Sequence, residues 1–140
     1  MLHFTMSELL HSNIAKKYNI SNIPDKEALD NMLLLIVECL EPIRQYIGKP
    51  MLISSGYRSA RLNGHPLING NPNSQHCKGQ AVDFTIKGMT PKIIIELIKE
   101  SGVEFDQCIS ENNLWVHLSY NKGYNRKEVL YYQDGKYTKR

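Results

Sequence analysis

The chain has 140 residues, a formal net charge of +3, 41% apolar and 22% charged residues, a balance that fits one soluble globular domain over residues 1–140 with one sizeable core. The mild positive charge favours an anionic surface, but no basic run interleaved with aromatics points to nucleic acid as a partner. No apolar stretch reaches the ~20 residues of a membrane span, so no membrane insertion is expected.

Met1-Leu2-His3-Phe4-Thr5 lacks the charged start and continuous apolar stretch of a signal peptide, so synthesis in the cytoplasm without a signal peptide is expected. Ser7 with Glu8 starts a short helix running to about Lys17. Pro24-Asp25 opens a longer one to about Tyr46, with Leu29, Met32, Leu33, Ile36, Val37 and Leu40 at helical spacing, and Gly48-Lys49-Pro50 ends it. Met51 to Ser54 reads as a strand. Arg58 to Asn73 reads as loop with a helical turn. Gln80 to Ile86 alternates, with Val82, Phe84 and Ile86 facing a core and Ala81, Asp83 and Thr85 on the open face. Thr90-Pro91 opens a helix burying Ile94, Ile95, Leu97 and Ile98, which stops at Ser101-Gly102. Phe105 to Ser110 is a strand, Glu111-Asn112-Asn113 a turn, and Leu114 to Tyr120 an antiparallel return with Leu114, Val116 and Leu118 inward and Trp115, His117 and Ser119 outward. The tail, with Tyr124, Tyr131, Tyr132 and Tyr137, adds an edge strand or lines a cleft. Helices first, then a small antiparallel sheet crossed by one helix, make the fold class α+β.

Three cysteines, Cys39, Cys77 and Cys108, form no disulfide framework and fit a reducing compartment. Cys39 lies in an apolar helical stretch as a small core residue. Cys77 sits beside a candidate metal ligand, but neighbours in extended chain rarely both reach one ion.

The chemistry concentrates in a split trio. His76 and Asp83 lie in Ser74-Gln75-His76-Cys77-Lys78-Gly79-Gln80-Ala81-Val82-Asp83-Phe84, and His117 in Leu114-Trp115-Val116-His117-Leu118-Ser119. Two imidazoles and a carboxylate give zinc three ligands and leave a fourth position for water, the pattern of a hydrolytic rather than a structural site. If the two strands are neighbours, Asp83 and His117 approach each other above the sheet. His76 comes from the preceding loop, where Gly79 supplies conformational latitude.

These residues resemble the zinc peptidases that include the D-alanyl-D-alanine carboxypeptidases and the hedgehog signalling domain, the M15 or hedgehog/DD-peptidase fold. The likeness is greatest to the small single-domain branch from phages and bacteria. It rests on Phe4-Thr5-Met6-Ser7-Glu8-Leu9, Leu40-Glu41-Pro42-Ile43-Arg44, Ser54-Ser55-Gly56-Tyr57-Arg58-Ser59, Leu62-Asn63, and the two ligand segments. The resemblance implies zinc held by His76, Asp83 and His117, Arg58 and Ser74 in contact with substrate or transition state, and peptidoglycan stem or cross-bridge peptides as the substrate class. Some members carry an acid three positions before the last histidine; here that position is Leu114. Glu111, six before His117, is similar in spacing to the hedgehog-type domains. The loop Gly64 to Asn73 departs from the Val-Gly-Gly-like turn of the family and is expected to border the substrate cleft.

Glu111 is the candidate general acid/base, against a plain solvated turn residue. Arg58 is a candidate for a carboxylate or oxyanion, against a structural pair with Asp83. Ser74 either caps the turn before His76 or bonds substrate. Trp115 walls the groove or fills the sheet. Gln107 touches ligand or packs. Three readings follow: a zinc D,D-carboxypeptidase or endopeptidase, monomeric, acting on the wall if released; a non-catalytic zinc-containing wall-binding module; and a wall-binding component of a phage particle or lysis system.

Overall fold

The computed structural model describes residues 2–139. The helices begin where side chains supply missing acceptors. Thr5, rather than Ser7, starts α1 (Met6–Leu10). Its hydroxyl accepts from the Glu8 N–H at 3.2 Å, while the Glu8 carboxylate accepts from the Thr5 N–H at 3.1 Å, a reciprocal capping box. The expected single helix to Lys17 is interrupted. Ser12 caps a second helix, α2 (Asn13–Lys17), by accepting from the Ala15 N–H, and a residue in capping conformation cannot also be mid-helix.

Asp25 caps α3 (Lys26–Leu34), which passes through a widened π turn (Leu35–Leu40) into α4 (Glu41–Ile47) and stops at Gly48 in the left-handed region. The widened turn ends just before Pro42, which has no N–H to return to the Glu38 carbonyl and whose ring crowds it. The buried stripe is Ala28, Met32, Leu35, Ile36, Cys39, Leu40 and Ile43. Leu29, Leu33 and Val37, expected on that stripe, are instead exposed, Val37 by 51%. The segment is apolar nearly all round, whereas a helix lying on a sheet buries one stripe, so spacing alone could not choose between adjacent ridges.

Six strands form one sheet in the order β1-β2-β4-β3-β5-β6. They are β1 (Leu52–Ser55), β2 (Ala81–Thr85), β3 (Gln107–Glu111), β4 (Trp115–Ser119), β5 (Glu128–Gln133) and β6 (Lys136–Lys139). All pairs are antiparallel except β3 with β5, which are parallel. The fold is α+β, as the element order implies. One face carries Val82, Phe84, Cys108, Val116, Leu118 and Val129. After the short helix α5 (Ala60–Asn63) comes α6 (Pro91–Ser101), whose Ile94, Ile95 and Ile98 form a single core with that face and the α3–α4 stripe. Truncating the fully buried Phe84 to alanine costs about 3–5 kcal/mol. Leu97 is only half-buried, at the margin of the α6 stripe. Cys39 and Cys108 are buried free thiols, and burial pushes both well above the usual thiol range.

Two boundaries differ from expectation near the open face. Glu111 is the last residue of β3, paired with Trp115, rather than part of the turn. Leu114, expected to face inward, lies in the turn and is 65% exposed. Asn112 and Asn113 take left-handed φ values of +53° and +57°, which asparagine tolerates, and this closes the hairpin one residue later. The tail forms a two-stranded hairpin rather than one edge strand, turning at Asp134-Gly135. Among the described residues no helix is long and apolar enough to cross a membrane.

Candidate metal centre

Strand alternation places Asp83, His117 and Ile109 in one row on the open face, and Trp115, Glu111, Tyr132 and Tyr137 in the next. β2 and β4 are neighbours with Asp83 directly opposite His117. The Asp83 Oδ1 lies 3.0 Å from His117 Nδ1 and 3.4 Å from His76 Nε2. The ligand atoms of His76, Asp83 and His117 all fall within 4.8 Å of one another.

His76 arrives from a 3₁₀ turn (Gln75–Lys78). Ser74 caps that turn, its hydroxyl accepting from the His76 N–H at 3.2 Å. Gly79 closes it at φ +72°, where a Cβ would stand 2.3 Å from the Ala28 carbonyl oxygen of α3. Only glycine meets both demands. The His76 ring is buried, and its Nδ1 lies 2.7 Å from the Gly56 carbonyl oxygen. A carbonyl only accepts, so Nδ1 carries the hydrogen and the neutral ring turns its Nε2 lone pair toward Asp83. Burial holds His76 below the ordinary imidazole range and so keeps it neutral. Burial alone would raise the Asp83 carboxyl, but a proton on the facing imidazoles favours the carboxylate and outweighs it, for a net shift downward. A lone pair and a carboxylate facing each other at 3.4 Å repel unless a proton or a cation lies between them. The donor set, two imidazoles and one carboxylate, fits zinc.

All eight expected site residues line one cleft of about 730 Å³: Arg58, Ser74, His76, Asp83, Gln107, Glu111, Trp115 and His117. Their commitments differ. Arg58 forms no ion pair with Asp83, and its buried Nε has no hydrogen-bond partner among the described residues. Arg58 lines the same cleft as Asp83, whose charge acts on the guanidinium without a direct ion pair. Gln107 donates to Glu128 at 2.7 Å, so its carboxamide is already engaged. Glu111 is half-buried; burial raises its carboxyl, His117 lowers it and Asp83 raises it, for a net shift upward. Cys77 borders a different pocket, with Asp25, Ala28 and Asn31, and stands outside the metal-ligand group.

Two other conceivable bases are spoken for. Asp106 accepts from Arg126 Nε at 2.9 Å and Nη2 at 2.8 Å, and from Gln75 at 3.0 Å. His65 accepts the Leu67 N–H and packs on Tyr18, away from the cleft. The sequence reading missed Ile109 and Arg126, which also line the cleft, whereas the Gly64–Asn73 loop borders it as expected, through Asn69, Asn71 and Asn73. That loop is held by Asn63, whose amide donates to the Asn71 carbonyl at 2.8 Å. A lone isoleucine or an arginine after a turn carries no chemical signature, so nothing in the sequence singles them out.

Residues 2–119 match the profile of the family described as Peptidase M15. No curated protein matches the chain.

Proposed function

The chain belongs to the peptidase M15 family, and from that premise we propose that it is a zinc peptidase hydrolysing peptidoglycan stem or cross-link peptides. The observation that carries this reading is the His76 ring. It is locked by the Gly56 carbonyl so that Nε2 points at Asp83, with His117 beside it, at the bottom of a cleft able to admit an extended peptide. Zinc held by His76, Asp83 and His117 would supply an acidified water and polarise the scissile carbonyl.

The chain's own groups do the rest. Glu111, one row from His117 and with its carboxyl pKa raised, takes a proton on a carboxylate oxygen and returns it to the leaving amine. Arg58, a cation that lines the cleft and makes no direct ion pair there among the described residues, binds the substrate's carboxylate or steadies the developing oxyanion. Ser74 acts through His76, by fixing the turn that aims the ring. Trp115, opposite Glu111, forms the wall against which a peptide lies and keeps water from the Glu111 carboxyl.

Cleavage of a defined muropeptide by the zinc-loaded protein, with products identified by mass, tests the reading. Loss of cleavage in His117→Ala together with loss of zinc is the expected result. Failure of the unaltered, zinc-loaded chain to cut any wall peptide would leave a binding module in its place.

A further inference from the structure

The profile match ends at residue 119, yet the cleft does not. Beyond that point β5 adds in parallel to β3 and β6 closes on β5. This carries the row Trp115–Glu111 outward to Tyr132 and Tyr137, which lie directly opposite each other. The two phenol rings pack at 4.7 Å between centroids, tilted by 54°. Tyr137 remains 57% exposed, and both tyrosines line the cleft.

The loop that departs from the family pattern contributes Asn69 and Asn73 to the same cleft. The charged groups nearby are already paired: Arg126 with Asp106, and Glu128 with Gln107 and Lys139. The cleft thus combines the aromatic faces of Tyr132 and Tyr137 with the neutral amides of Asn69 and Asn73. Such a surface fits a ligand with one apolar face and a rim of hydroxyl and amide groups, which is the chemistry of a sugar ring.

Distance agrees. From β4, which carries His117, to β6 are three interstrand steps of about 4.8 Å, roughly 14 Å in all, the reach of about four extended residues. A peptide cut at the metal centre and attached to a sugar would bring that sugar to the tyrosines.

We propose that Tyr132, Tyr137, Asn69 and Asn73 form a subsite for an N-acetylated amino sugar joined to the substrate peptide. This rests on the wall-peptide reading above. The β5–β6 hairpin is then a specificity element added to the peptidase core. It selects peptide still attached to glycan over free peptide.

The test compares kcat/KM of the full zinc-loaded chain on one stem peptide with and without its N-acetylmuramyl group. A preference of about tenfold for the sugar-bearing form is expected. Tyr137→Ala should bring that preference to within about twofold, and Tyr137→Phe should keep it, since stacking needs the ring and not the hydroxyl. In parallel, fluorescence of Trp115, the one tryptophan of the chain, is followed during titration with an N-acetylglucosamine tetrasaccharide. A saturable response lost in Tyr137→Ala supports the subsite. Equal cleavage of both peptides with no fluorescence response overturns it and leaves the peptidase reading standing. A Tyr137-dependent response without cleavage of either peptide supports the subsite and overturns the peptidase reading.

Discussion

Asp83 and His117 face each other across antiparallel neighbours, Oδ1 to Nδ1 at 3.0 Å, so the register of β2 on β4 sets the geometry of the candidate metal centre. A slip of one residue would send one of the two side chains into the core and separate the pair. Val82, Phe84, Val116 and Leu118, all fully buried, hold the register from the opposite face.

The first expectation is one zinc per chain in protein purified without added metal, measured by elemental analysis. The Asp83→Ala, His117→Ala double variant should contain almost none. Stoichiometric zinc in that variant would sink the assignment.

Metal removal should leave the fold in place. The core lies on the face of the sheet away from the ligands, and the helices bury their stripe without them, unlike a zinc finger that folds only around its ion. Chelation should abolish cleavage while far-ultraviolet circular dichroism stays nearly unchanged. Global loss of signal would show the metal to be structural.

Glu111→Gln should keep its zinc, since it removes no ligand, and lower turnover about 10²–10⁴-fold, the range for a lost general acid/base. Burial raises the Glu111 carboxyl, and a base works only when ionised. Cleavage by the unaltered chain should therefore rise with pH through a value above the ordinary carboxylate range of about 4.3. That limb should vanish in the variant, as read from the pH profile of kcat/KM. Arg58→Ala should raise KM if the guanidinium holds a ground-state carboxylate, and lower kcat if it meets charge only in the transition state.

Much of this site was legible in the sequence because its parts alternate. Asp83 and His117 each sit between inward residues on a strand of period two, and that pattern survives any error in strand ends. Glu111 was placed in the cleft but assigned to the turn, because Asn112 and Asn113 mark a turn without marking its first residue. The fate of the tail was left open, since parallel addition of β5 to β3 depends on which edge is free, a tertiary fact. The exposed ridge of Leu29, Leu33 and Val37 was misread for a related reason: apolar residues on all sides of a helix leave its orientation to the sheet it meets.

Gly79→Ala should destabilise the chain and weaken zinc retention together. The left-handed φ alone costs about 1–2 kcal/mol, and the added methyl meets the Ala28 carbonyl at 2.3 Å. Thermal melts with and without zinc check this: the variant should melt lower in both states and gain less from the metal. An unchanged metal increment would separate the turn from the site.

Asp106 gives a stability test away from the metal. Hydrogen bonds from Arg126 hold its carboxyl below the usual range. Its contribution is present above the unfolded value of about 3.9 and is lost as pH falls through the lower folded value. Asp106→Asn should cost about 1–3 kcal/mol near neutrality and give a shallower loss of stability below about pH 4. Denaturant melts across that range measure it. An acid limb as steep as in the unaltered chain would place the responsible carboxylate elsewhere.

The parallel seating of β5 against β3 also decides which strands are edges. With β5 in place, β3 lies between β4 and β5, and the strand that carries Glu111 is interior to the sheet. Without β5 it would be a bare edge, with a row of unpaired N–H and C=O groups beside Glu111. The pairing of Asp83 with His117 on β2 and β4 needs no residue beyond 119. The strand that carries the proposed base is the one whose second neighbour comes from the tail.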